Sequence, residues 1–194
     1  VAIDGPQYVS LEWAPSLGLT LAFSLDGLGL LFALMITIIG TLIVLYASAY
    51  MHGHPRISRL LASLFIFMGA MLGVVLADNI FALFVFWELT GFASYMLIGF
   101  DDDKASSRRA ASQAFIVTAT GGIALFAGAV LLAQITGAYT LSGMIAGNVD
   151  IASHHYYLAC VVLFLLAAFT KSAQVPFHFW LPNAMAAPTP VSAY

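Results

Sequence analysis

The sequence predicts an all-α integral membrane protein. About five transmembrane helices are expected, one of them discontinuous, after a short N-terminal extramembrane β-hairpin. Three observations lead to this class. Of 194 residues, 62% are hydrophobic and 8% charged, against roughly 25% charged in soluble domains. Apolar residues fall in runs long enough to cross a hydrocarbon core of about 30 Å, which takes roughly 20 helical residues. One such run carries a lysine and then meets a proline. A soluble enzyme of this size needs far more polar surface, and a disordered chain has far fewer apolar residues. The net charge of −3 gives no basic footprint for nucleic acid. The single cysteine, Cys160, excludes a disulfide scaffold and a Cys-based zinc site. No phosphate loop, dinucleotide fingerprint, heme-attachment motif or serine-nucleophile motif is present, so no cofactor is expected.

In chain order, residues 1–26 come first. Val9, Leu11 and Trp13 alternate with Ser10 and Glu12, and Leu19, Leu21, Phe23 and Leu25 alternate with Thr20, Ala22 and Ser24. Period two on both sides of Pro15–Gly18 predicts a hairpin. The spans follow: Leu28–Met51, Leu60–Ala77, Ile80–Phe100 interrupted only by Glu88, Ala110–Ile135 with Gly121-Gly122 inside, and Tyr157–Val175 interrupted only by Lys171 and ended by Pro176. Gly69 and Gly73 form a GxxxG in the second span, a pattern of close helix contacts. Val1 at the start and Pro188–Tyr194 at the end, which reads as a new helix, suggest a piece of a longer protein.

Loop charges predict orientation. Arg56 and Arg59 lie in one loop; Lys104, Arg108 and Arg109 lie in another on the same side; the opposite loops have no Lys or Arg. The positive-inside rule makes the Arg56 and Lys104–Arg109 loops cytoplasmic and residues 1–26 external. The Asp101-Asp102-Asp103 run reads as a solvated loop. His52/His54 and His154-His155 read as exposed pairs, each lacking an acidic third ligand for a metal.

Two ionisable residues lie deep in apolar spans, Glu88 and Lys171. A charge at the bilayer centre costs about 2.5–3.5 kcal/mol on insertion scales, so such residues face a bundle interior and mark ion pathways. A glutamate and a lysine sharing a low-dielectric interior control each other's charge. Thr170, Lys171, Ser172 and Gln174 form a polar cluster before Pro176. That proline lacks an amide proton and clashes with the carbonyl of Ser172, so the helix should break there. Broken helices at membrane depth mark transporter sites. His178, just past the break, carries an imidazole, the side chain that gains or loses a proton most readily near neutral pH, and could relay protons. Each has a purely structural alternative: a neutral glutamate locking two helices, a snorkelling lysine, a packed histidine. Counting along the helices puts Lys171 roughly 9 Å deeper than Glu88. The two are expected within side-chain or one-water reach, without a tight ion pair.

These residues, read as strings, resemble a known family. Asp26-Gly27-Leu28, Met68 through Asn79, Phe86-Trp87-Glu88-Leu89-Thr90, Lys171 through Pro182, and Ala187-Pro188-Thr189-Pro190-Val191-Ser192 are similar to the antiporter-like membrane subunits. That group holds subunits of Mrp-type cation/proton antiporters and the proton-pumping subunits of complex I. The wording is closest to the large A-type Mrp subunits. The resemblance implies two inverted five-helix repeats, with Glu88 as the family's essential glutamate, Lys171 as its central lysine on the discontinuous helix, and His178 as a histidine past the break. It divides the chain into a hairpin (1–26), a leading span with a basic loop (27–59), and most of the first repeat (60–194), incomplete at its C-terminus. It implies a proton-conducting subunit of a multisubunit Na⁺/H⁺ antiporter in a bacterial plasma membrane, partnered by other membrane subunits and not an enzyme. The alternatives are a redox-driven pump subunit of complex I or a membrane-bound hydrogenase, and a structural scaffold that carries no ions.

Overall fold

The computed structural model describes residues 5, 7–14, 19–185 and 187–192. The hairpin forms as expected: β1 (Gln7–Ala14) pairs antiparallel with β2 (Leu19–Leu25), Gln7 opposite Leu25 and Glu12 opposite Thr20. The expected turn at 15–18 and the last residues of the expected C-terminal helix lie outside the described residues.

Among the described residues, four helices are long and apolar enough to cross a membrane: α1 (Gly27–Tyr50), α2 (Ile57–Leu76), α3 (Ile80–Ile98) and α4 (Ala105–Thr136). Their starts are written locally. Asp26 caps α1 by accepting a 2.6 Å bond from the Gly29 amide. Asn79 caps α3 by accepting from the amides of Phe81 (2.9 Å) and Ala82 (3.2 Å). These side chains satisfy donors that have no partner inside the helix. Gly137, at φ +70°, ends α4 in the left-handed conformation glycine adopts without a Cβ penalty. A short α5 (Leu141–Ala146) and a 3₁₀ turn at Ile151–Ser153 lead to α6 (Tyr157–Lys171). A second 3₁₀ turn (Phe177–Phe179), α7 (Trp180–Ala184) and α8 (Thr189–Ser192) follow.

The discontinuous helix is α6, and it stops earlier than the proline alone predicts. The sequence extends it to Val175; it ends at Lys171. Ser172 still donates its amide to the Ala168 carbonyl, but Ala173 turns to φ +52° and the Gln174 amide reaches back to Phe169. The residue before a proline is pushed out of the helical region, and here the chain leaves the helix several residues upstream of that restriction. The 15 residues of α6 rise only about 22 Å, so the 3₁₀ turn and α7 continue the path.

In the packed order, α2 lies between α1 and α3, and α4 lies between α3 and α6. Ile43, Ala47, Leu60, Leu64, Leu97 and Phe100 form one buried cluster across α1, α2 and the end of α3. Of the GxxxG pair, only Gly73 makes a close contact. The Phe86 ring of α3 lies over it, and an added Cβ would sit 2.2 Å from that ring, whereas Gly69 meets nothing within 4 Å. The motif is an intrachain notch for one phenylalanine.

Each end of α3 is tied to other segments. At its start, the Asp78 amide donates to the Ala22 carbonyl of β2 (2.8 Å), and the Leu141 amide donates to the Asp78 carbonyl (2.7 Å). The buried Asp78 carboxylate accepts from the Ser142 amide (2.9 Å) and hydroxyl (2.6 Å). Beyond the other end, the acidic run is not simply solvated. Asp102 accepts from Arg59 (2.7 Å) and from Arg56, and Asp103 accepts from Arg56. The α1–α2 loop is thereby clamped to the α3–α4 loop.

The clamp has a signature in pH. Hydrogen bonds donated by Arg59 and Arg56 hold the Asp102 carboxyl below its ordinary range, and those that Arg56 donates to Asp103 and Asp102 hold its guanidinium further above its own. A carboxyl with a depressed folded-state value stabilises the fold above its unfolded value, near ~3.9, and loses that contribution as pH falls toward the folded value. In thermal melts of the assembled protein, Asp102→Asn should therefore be less stable than wild type at pH 6, and the gap should close below about pH 4. A gap independent of pH would contradict it.

Candidate functional site

The site lies where α3, α4 and α6 meet. On α3, the helical period puts Trp87, Thr90 and Gly91 on one stripe, with Glu88 beside Gly91 at the i, i+3 spacing. Lys171, the last residue of α6, reaches into that stripe. Its Nζ donates to Thr90 Oγ1 (2.6 Å) and, in a longer contact, to the Trp87 carbonyl (3.4 Å). It also stands 5.4 Å from the centre of the Trp87 ring, within cation–π range. Thr90 is buried, and its own hydroxyl donates to the Trp87 carbonyl (2.7 Å). The Trp87 indole N–H is buried without a hydrogen-bond partner among the described residues. Trp87 therefore meets the lysine through its carbonyl and ring face.

Glu88 points to α4. An added Cβ on Gly122 would lie 1.7 Å from Glu88 Oε1, so the carboxylate occupies the space that this glycine leaves. The neighbouring Gly121 does the same for Thr170, whose Oγ1 would lie 1.8 Å from an added Cβ. Two adjacent glycines cost a helix interior about 1 kcal/mol each relative to alanine; here they seat one side chain from α3 and one from α6. Lys171 and Glu88 interact electrostatically, but no ion pair joins them among the described residues. The lysine engages α3 at residues on either side of Glu88 in the sequence, the Trp87 carbonyl and the Thr90 hydroxyl, closer in depth than the residue count predicted.

The break supplies its own cap. The Trp180 indole, from the first residue of α7, donates to the Thr170 carbonyl (3.0 Å) that the end of α6 leaves free. His178 lies exposed on the 3₁₀ turn and is not among the groups contacting Lys171. Sequence reasoning singles out Glu88, Lys171, His178 and Pro176. It gives no role to Gly122, to the Trp87 carbonyl or to the Trp180 indole. It also passes over Thr118, a buried α4 hydroxyl that faces Gly91. The Gly-Gly pair inside a long helix is the available signal. No group of three or more metal-ligating side chains occurs among the described residues.

Residues 77–194 match the family model described as NADH:quinone oxidoreductase/Mrp antiporter, TM, and residues 13–60 match the N-terminus of NADH-ubiquinone oxidoreductase (complex I), chain 5. The probable A/B subunit of a K⁺/H⁺ antiporter of Rhizobium meliloti is 47% identical over 194 residues, covering 100% of this chain and 19% of the relative. The A1 subunit of an Na⁺/H⁺ antiporter of Staphylococcus aureus is 45% identical over 185 residues, covering 95% and 23%. In the solved Mrp complex from Dietzia sp. DQ12-45-1b, a chain superposes with TM-score 0.87 at 36% identity, over 98% of this chain and 21% of that one. The chain thus spans about a fifth of the length of these relatives. It belongs to the NADH:quinone oxidoreductase/Mrp antiporter family of membrane proteins.

Proposed function

We propose that this chain carries a proton-transfer centre of a multisubunit monovalent-cation/proton antiporter, in which the proton motive force across a bacterial plasma membrane drives the cation out. The observation that carries the reading is the placement of Lys171: its amine is held on α3 beside Glu88, in one interior, with no ion pair closed. Lysine and glutamate then exchange between a docked and an undocked arrangement, and the proton leaves the lysine when the carboxylate no longer holds it. His178 passes it onward from beyond the break. In this reading the chain is part of a secondary transporter and not an enzyme, and other membrane subunits complete the complex. Relatives that match along nearly the whole chain are named as antiporter subunits, which favours this reading over a redox-driven pump. Residues 1–26 lie outside, residues 27–59 form the leading span and a cytoplasmic basic loop, and residues 60–194 form most of the first five-helix repeat.

The named relatives differ in cation, K⁺ for one and Na⁺ for the other, so the assay uses both; we take Na⁺ as the substrate. In everted vesicles carrying the complete complex, Glu88→Ala and Lys171→Ala should each abolish cation-dependent proton movement while the complex still assembles. Wild-type transport in both variants overturns the reading. Loss of assembly without loss of transport per complex supports a scaffold instead.

A further inference from the structure

We propose that Thr90, together with the Trp87 carbonyl, is the seat that orients the Lys171 amine for proton exchange. This rests on the reading of Lys171 as a proton carrier and adds a positioning residue to it. An ammonium has three N–H donors; the neutral amine keeps two and gains a lone pair. The seat offers two acceptors, Thr90 Oγ1 at 2.6 Å and the Trp87 carbonyl at 3.4 Å. Both forms of the lysine therefore satisfy the seat. The third position is left for the proton that moves: in the charged form it is an N–H, and in the neutral form the electron pair that remains on Nζ after the proton passes to an oxygen acceptor, a water or a carboxylate.

Three features make Thr90 suited to this. Its hydroxyl hydrogen is already committed to the Trp87 carbonyl at 2.7 Å, so its oxygen faces the lysine as an acceptor. That donation also polarises the oxygen and strengthens the bond it accepts. Its side chain is buried, so water does not compete for the bond. Gly91 completes the arrangement. An added Cβ there would lie 3.7 Å from Lys171 Nζ and 3.5 Å from Thr118 Oγ1, so the missing side chain leaves a lane beside the amine. Glu88, one turn away on the same side of α3, is the ionisable group that borders this lane.

The test separates the hydroxyl from the shape of the side chain. Thr90→Val keeps the β-branched shape and removes the acceptor; Thr90→Ser keeps the acceptor and drops the methyl. Both are made in the full multisubunit complex, with Lys171→Ala and Glu88→Ala in parallel, and rates are taken per assembled complex in everted vesicles. A hydrogen bond to a charged group is worth enough that Thr90→Val should lower the maximal antiport rate at least about tenfold. The cation KM should stay unchanged, and Thr90→Ser should stay within about twofold of wild type. Thr90→Ala should be as slow as Thr90→Val and serves as the removal variant if valine blocks assembly. Near-wild-type rates without the hydroxyl, or serine as impaired as valine, overturn the proposal. If the threonine variants are normal while Glu88→Ala and Lys171→Ala are inactive, only this inference falls. If the latter two transport normally, the reading of the site itself falls.

Discussion

Replacing Gly122 by alanine is expected to bring cation-driven proton movement down to the background of Glu88→Ala, although it changes neither ionisable residue. An added Cβ would stand 1.7 Å from Glu88 Oε1 and 2.6 Å from its carboxyl carbon, far inside any real contact. The carboxylate has to leave, and it is the far end of a flexible side chain, so it swings away at little cost to the fold. The complex should therefore assemble at normal yield and melt near the wild-type temperature while transport is lost. Gly121→Ala provides the contrast. The atoms it would strike belong to β-branched Thr170, with Oγ1 at 1.8 Å and Cβ at 2.9 Å. Thr170 has no flexible end to move, so α6 must shift against α4. Overpacking of this kind costs about 1–3 kcal/mol, and Gly121→Ala should lower the melting temperature as well. Wild-type transport by Gly122→Ala would show that the seat of Glu88 on α4 does not matter.

Asp78→Ala is expected to cost at least about 3 kcal/mol of stability without altering the Glu88–Lys171 region. The Asp78 carboxylate accepts two bonds from Ser142, at 2.9 and 2.6 Å. Bonds to a charged acceptor are worth about 1.5–3 kcal/mol each, and a buried donor left without a partner adds to the loss. Asp78→Asn keeps one acceptor oxygen and should fall between the two. The measurement is thermal unfolding, together with protease accessibility at α5, where the released segment should be cut first. Unchanged melting in Asp78→Ala would mean that the remaining backbone bonds of Asp78 to Ala22 and Leu141 suffice to hold this end of α3.

The fold was legible because a membrane restricts the choices. Once a segment is apolar for about 20 residues, helix is the way to satisfy its backbone in lipid, and α1 and α3 lie close to their expected bounds. α2 starts at Ile57 and α4 at Ala105, earlier than the apolar runs, because a helix extends into polar sequence past the apolar stretch. Arg59, Arg108 and Arg109 therefore sit in the first turns of helices and not in the loops. The hairpin showed in its alternation. The end of α6 showed less well: Pro176 says where a helix cannot continue, not where it first stops, and the turn at Ala173 has no sequence mark. The acidic run looked solvated because its partners, Arg56 and Arg59, lie more than 40 residues away. In the site, Glu88 and Lys171 stood out as charges among apolar neighbours. The groups that receive them did not. A backbone carbonyl such as that of Trp87 has no letter of its own, and a glycine becomes a seat only when a second helix packs against it.

The ties at the two ends of α3 have a mechanical consequence. Asp78 and Asn79 fasten one end to the hairpin and to the Thr140–Ser142 corner, and Asp102 fastens the loop beyond the other end to two arginines. A rod pinned in this way would have to tear one set of bonds before it could slide or roll. The end of α6 is held at Thr170, buried against Gly121 and with its carbonyl capped by the Trp180 indole, and past Lys171 the chain turns at Ala173. With α3 pinned and Thr170 seated, the long side chain of Lys171 is the part left free to move. On the proposed reading the working stroke is a swing of a side chain across one helix face, not the travel of a helix.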